Sequence, residues 1–197
     1  HTYALAINQQ KLDALSVWCP SLGVLVPANW RYRDGLNAGH AVAVECGFDS
    51  FRIYQAPVWR AGHVASFVFQ PGALAHALGE FRPHLVHVEQ EVYSLAAAEI
   101  VLAAKLRGAK TVVFGWENLD RPLHPAQRAA RGLVLSLADG LVCGSCEAAG
   151  LLRHWGFRGR IEVIPQLGVD PSTFRRSLWR PGPRYTVGFF GRLVEEK

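Results

Sequence analysis

The chain ends on VGFFGRLVEEK, Val187 to Lys197, a strand-like apolar run followed by a glycine, an arginine and a lysine. Gly191 has no side chain to block the approach of a phosphate to the backbone. Arg192 and Lys197 are fixed cations of the kind that stabilise growing negative charge, although the same residues would also suit a solvated strand end. A second candidate is EQE, Glu89 to Glu91, which places two carboxylates two residues apart after an apolar run. Strand alternation would turn both to one side, where repulsion raises one pKa and fits it for general acid or base work. Acids welcomed by the dipole at a helix start are an equally simple explanation. CGSC, Cys143 to Cys146, has CxxC spacing but no second pair and no histidine pair beside it, so a zinc site is not expected and two small buried thiols at a strand-to-helix turn are. His63, His76, His84, His87, His124 and His154 are dispersed without ligand spacing, and His87 reads as a hydrogen-bonded core residue. No Walker loop, GxGxxG, GxSxG or HExxH motif occurs.

The elements that must hold these residues alternate. YALAINQQKLDAL has helical apolar spacing, whereas LGVLVP and FRIYQAPV read as strands. Thereafter GALAHALGEF, SLAAAEIVLAAKLRG, PAQRAARGLVLSLADG and SCEAAGLLRHWG read as helices, with Ser94 and Ser145 as N-caps and Gly108 as a stop. Between them HLVHVE, KTVVFG, LVCGS and RIEVIP are short apolar strands. Uniformly apolar strands alternating with helices predict an α/β fold with a doubly wound parallel sheet. Ligands of such sheets lie outside the carboxyl ends of the strands, which here carry PANW, EQEVYS, GWENLD, GSCE and PQLGVD.

At 197 residues, half of them apolar, the chain can bury a substantial core. Its net charge of +5 comes mostly from singly scattered arginines. That pattern argues against a nucleic-acid stripe and suits phosphorylated metabolites or anionic lipid headgroups. No apolar run approaches the roughly 20 residues that span a bilayer, and four cysteines without a secretion signal point to a reduced cytoplasmic setting. The Pro- and Arg-rich stretch after Pro171 looks like a linker. The expected organisation is a domain over residues 1–174, a linker over 175–183, and the first strand and loop of a second domain over 184–197.

RIEVIPQLGVDPSTF followed by VGFFGRLVEEK resembles the family-four glycosyltransferases, retaining enzymes of GT-B fold. In these an IPNGVD..F segment closes the first domain and GRL...K opens the second. PHLVHVEQEVYSLAA and ADGLVCGSCEAAGLLRHWG also resemble segments of that family, so the likeness runs from about Pro83 onward. The resemblance implies a Rossmann-like amino-terminal, acceptor-side domain of a hexosyltransferase. The expected reaction moves a sugar, with retention, from a nucleotide-diphosphate sugar to a cell-envelope or lipid-linked acceptor. It implies no cofactor and no metal, a peripheral contact with anionic membrane at the inner face, and no nucleic-acid partner. Family members use the matching Arg and Lys on the donor diphosphate, a role carried here to Arg192 and Lys197, and Gly191, which lets the backbone come close to the phosphates, completes the donor-binding candidates.

Many relatives place a histidine facing the transferred sugar where this chain has Trp116, Glu117 and Asn118. An indole can stack on an apolar sugar face while acid and amide hold hydroxyls; a Trp packed under a loop with an Asx turn at Asn118 is the structural alternative. Glu91 and Glu117 are thus the catalytic candidates, and Glu89, Trp116 and Asn118 the acceptor or sugar-binding ones. Gly168 to Asp170 is expected to be a turn, with Asp170 structural. Fold members normally begin with a strand and a Gly-rich turn, which His1 does not leave room for, and the family's donor-gripping carboxylates lie beyond GRL...K. The polypeptide alone is therefore expected not to transfer sugar. A non-catalytic sugar- or nucleotide-binding module, and another GT-B enzyme such as an epimerase or phosphorylase, are the alternatives.

Overall fold

The computed structural model describes residues 1–33 and 39–165, with single positions 168, 175, 182 and 188 beyond. Of the chain's two units, His1–Gln166 and Leu167–Lys197, the first holds nearly all of them. The expected linker and second-domain opening lie outside the described residues apart from those single positions.

The chain starts with two 3-10 turns, Thr2–Ala4 and Ala6–Asn8, before α1 (Gln10–Ser16), where apolar spacing alone predicts one continuous helix. Gln9 accounts for the difference. Its side chain is wholly buried; Nε2 donates to the carbonyls of Tyr3 (2.9 Å) and Glu45 (2.8 Å), and Oε1 accepts from the Gly47 N–H (2.9 Å). These bonds tie the opening turns to the loop at 45–47 and fix where the α-helix begins.

β1 (Gly23–Pro27) pairs in parallel with β2 (Arg52–Ala56). FRIYQAPV reads as one strand, but Pro57 splits it, because a residue without an N–H cannot continue the ladder. Past the proline, β3 (Val58–Trp59) instead pairs antiparallel with β4 (Val68–Phe69). Two-residue strands have no periodicity to read, and this pair is invisible in the sequence. α2 (Ala73–Phe81) follows.

The main sheet consists of β5 (Leu85–Glu89), β6 (Lys110–Gly115), β7 (Gly140–Cys143) and β8 (Arg160–Val163), adjacent in that order and all parallel. α3 (Leu95–Lys105), α4 (Pro125–Leu137) and α5 (Cys146–His154) connect them. Each connection advances one place along the sheet, so right-handed crossovers carry the three helices to one face, and α3 packs along α4. Ser94 and Ser145 cap as their positions predict, accepting from the N–H groups of Ala97 (3.0 Å) and Ala148 (3.2 Å). α4 opens on a capping box between His124 and Gln127, with Pro125 in its first turn.

The core beneath these helices gathers Val88, Val101, Val113, Val134, Leu141 and Leu152. Beside Val101, α3 contributes mostly alanines: Ala96, Ala97 and Ala104 are fully buried. A second cluster packs Trp30, Phe67, Phe69 and Leu74 around β3, β4 and α2. Asp139 stitches the lower edge, accepting from the Thr111 N–H (2.8 Å), the Lys110 ammonium (3.1 Å) and the Lys105 ammonium. The Lys105 contact above all holds its carboxyl well below the usual carboxylate range. The architecture is a mixed α/β, Rossmann-like domain, with the described strands in groups of two, two and four.

Candidate active site

The carboxyl ends of β5 and β6 lie side by side, with Glu89 opposite Phe114 in the register. Glu89 closes β5 and meets groups from the start of the chain. Its Oε2 accepts from the Tyr3 hydroxyl at 2.6 Å, and its Oε1 is paired with the Lys11 ammonium. His87 Nδ1 stands 3.8 Å from the same oxygen. Burial pushes the Glu89 carboxyl up, but Lys11 and Tyr3 outweigh it and the net shift is downward. His87 is not the core residue its strand position suggests: 36 % of its side chain stays exposed, and burial of the remainder lowers its pKa.

Glu91 lies beyond the strand end and faces elsewhere. Its Oε1 accepts from the Trp116 N–H at 2.8 Å, and the Glu117 N–H adds a second backbone contact. Burial raises its pKa above the ordinary glutamate value, and the Glu117 carboxylate pushes in the same direction. The expected mutual repulsion of Glu89 and Glu91 is replaced by two separate environments. Alternation stops with β5 at Glu89, so the two-residue spacing no longer fixes a common side.

Glu117 is mostly buried at its side chain (15 % exposed). Oε2 accepts from the Tyr93 hydroxyl at 3.2 Å and lies 3.5 Å from Arg121 Nε, while Oε1 accepts from the Leu119 N–H. Burial first, then the Glu91 and Glu117 carboxylates, push the Tyr93 hydroxyl pKa up. A cleft of about 230 Å³ opens here, walled by Tyr93, Glu117, Arg121 and Gln127 on its polar side and by Leu119, Leu123 and Trp155 on its apolar side. Trp116 has 51 % of its surface exposed, with its ring stacked near Phe114 at 6.3 Å. Asn118 is exposed, and the local turn is closed by the Glu117 carboxylate on the Leu119 N–H, not by an Asx contact.

The structure therefore brings Glu91, Trp116 and Glu117 together and sets Glu89 apart with Lys11. Gly191, Arg192, Lys197 and Asp170 lie outside the described residues. Sequence reasoning missed Tyr3, Lys11, Tyr93 and Arg121. Tyr93 stands inside EQEVYS, one of the strand ends already singled out, and Lys11 is the only lysine before Lys105 in a chain that otherwise uses arginine there. Cys143 is buried but Cys146 is exposed at the first residue of α5, so CGSC holds one buried thiol, not two. Among the described residues no group of three His, Cys, Asp or Glu side chains is placed to hold a metal, and no helix is long and apolar enough to cross a membrane.

A parallel sheet whose carboxyl edge collects two acids, a tyrosine and an open indole defines a Rossmann-like, ligand-handling domain. The sequence model of the glycosyl transferase 4-like domain matches residues 15–166. The chain belongs to that family, and its domain is of the GT-B glycosyltransferase type, which acts between a sugar donor and an acceptor. No curated protein and no solved structure matches the chain.

Proposed function

We propose that this domain forms the acceptor side of a retaining, metal-independent hexosyltransferase. It transfers a sugar from a nucleotide-diphosphate donor to a cell-envelope or lipid-linked acceptor. The observation that carries this reading is the convergence of Glu91, Tyr93, Trp116 and Glu117 at the adjoining carboxyl ends of β5 and β6. Glu117 faces the cleft and holds the acceptor hydroxyl, with Tyr93 orienting the carboxylate. Glu91, whose oxygen is already engaged by the Trp116 N–H, places the loop. The cleft is smaller than the roughly 300–1,000 Å³ that encloses a whole ligand, which supports a site finished by further residues.

In the proposed step the acceptor oxygen bonds to the anomeric carbon on the same face from which the phosphate oxygen departs, so that configuration is kept as the bond from that carbon to the phosphate oxygen breaks. The electron pair leaves with the diphosphate, and the acceptor proton passes to Glu117. Arg192 and Lys197 stabilise the departing diphosphate in this proposal, doing the work that a metal does elsewhere. Phosphate oxygens accept paired hydrogen bonds from guanidinium, which favours the arginine in that role.

The test uses the native protein that carries this domain, assayed with a panel of nucleotide-sugars and a glycolipid extract. Glu117→Gln is expected to lower kcat by about 10²-fold, the scale of a lost acid or base group, with activity unchanged by EDTA. Wild-type turnover in the variant, or loss of activity on chelation, would overturn the assignment.

A further inference from the structure

Gly144, in the loop after β7, lies against the indole of Trp116. A Cβ built on it would stand 2.2 Å from Trp116 Cζ3 and 2.3 Å from Cε3, far inside van der Waals contact. The backbone does not explain the glycine, because Gly144 is absent from the positions with positive φ, which are Gly39, Gly62, Gly72, Gly108 and Gly156 among the described glycines. Its conformation is open to any residue, and only the ring excludes one. The Phe114 ring flanks the indole, and the main-chain N–H of Trp116, donated to Glu91, anchors the backbone that carries it. Even so, half of its surface stays open.

A tryptophan that only fills space is buried, as Trp30 is at 2 % exposure. One that is both immobilised and open presents a flat apolar surface whose ordering cost is already met before a ligand arrives. We infer that Gly144 is a positioning residue: its bare Cα seats the Trp116 indole as a platform for the C–H face of a sugar ring. The inference rests on the proposed transferase function and on the expectation that Trp116 binds sugar, and adds the residue that makes that binding possible. It also gives the glycine of CGSC a task unrelated to its thiols.

The test compares Gly144→Ala, Trp116→Phe and the double variant with wild type in the full chain. The probes are methyl glucoside, methyl galactoside and methyl mannoside, with contact read by saturation-transfer NMR and Trp116 read by acrylamide quenching after subtraction of the Trp116→Phe signal. Gly144→Ala is expected to keep its far-UV spectrum, change the quenching of Trp116, and weaken glycoside binding about tenfold, the scale of one lost aromatic contact. Trp116→Phe should weaken it similarly, and the double variant should bind no worse than Trp116→Phe. Wild-type quenching and binding in Gly144→Ala, or additive losses in the double variant, would sink the positioning role. A Trp116→Phe protein that binds as wild type would instead remove the platform itself, and so would the absence of any glycoside signal at Trp116 in the wild type.

Discussion

At Glu91 burial and hydrogen bonding oppose each other, and burial wins. A carboxyl whose pKa is higher folded than unfolded binds its proton more tightly in the native state. Between the two values the native state carries more protons, so stability falls as pH rises through that window. Plotted against pH from about 4.5 upward, a glutamate's ordinary value, the melting temperature of wild type should drop relative to Glu91→Gln. Parallel curves would show that the carboxyl does not titrate abnormally. Residue-scale chemistry was partly legible. EQE and GWEN were found because strand ends in parallel sheets are where ligands sit. Their partners were not, because Tyr3 and Glu89 meet across 86 positions of sequence and no local pattern records such a pairing.

The elements were easier to read where local rules and burial agree. Ser94 and Ser145 announce α3 and α5, and β6 runs from Lys110 to Gly115 as its apolar letters suggest. The opening segment shows the opposite case, in which a side chain serving a distant loop overrides apolar spacing. Gln9→Ala should therefore cost about 3 kcal/mol, since it removes three part-buried hydrogen bonds, to Tyr3, Glu45 and Gly47, each worth about 0.5–1.5 kcal/mol. Urea unfolding would measure it, and a change under about 0.5 kcal/mol, the range of an ordinary surface substitution, would mean that water replaces the side chain without penalty. Pro57 acts at the same scale by turning one expected strand into pieces of two sheets.

At the scale of the whole molecule, the net charge of +5 is spread over many arginines and not gathered into one face-defining run. The peripheral contact with an anionic surface that the family resemblance implies would then have a definite signature. Co-sedimentation with vesicles containing phosphatidylglycerol should be measurable at low salt and largely abolished at about 0.5 M salt, where screening lengths shrink to a few ångströms. Binding that persists in salt, or that is equal on neutral vesicles, would rule out electrostatic attachment. The sheet class was legible from alternation alone, whereas the division of the strands into separate groups depends on Pro57 and on packing that no periodicity encodes.

The alanines of α3 set a different kind of limit. Ala97 and Ala104 are wholly covered, and α3 is the helix that lies along both α4 and the strands β5 and β6. A close-packed interior has little room for added methylenes, and overpacking costs about 1–3 kcal/mol. In a saturation library these positions would accept glycine and serine and reject everything larger. The domain's capacity to drift in sequence is therefore lowest where its side chains are smallest.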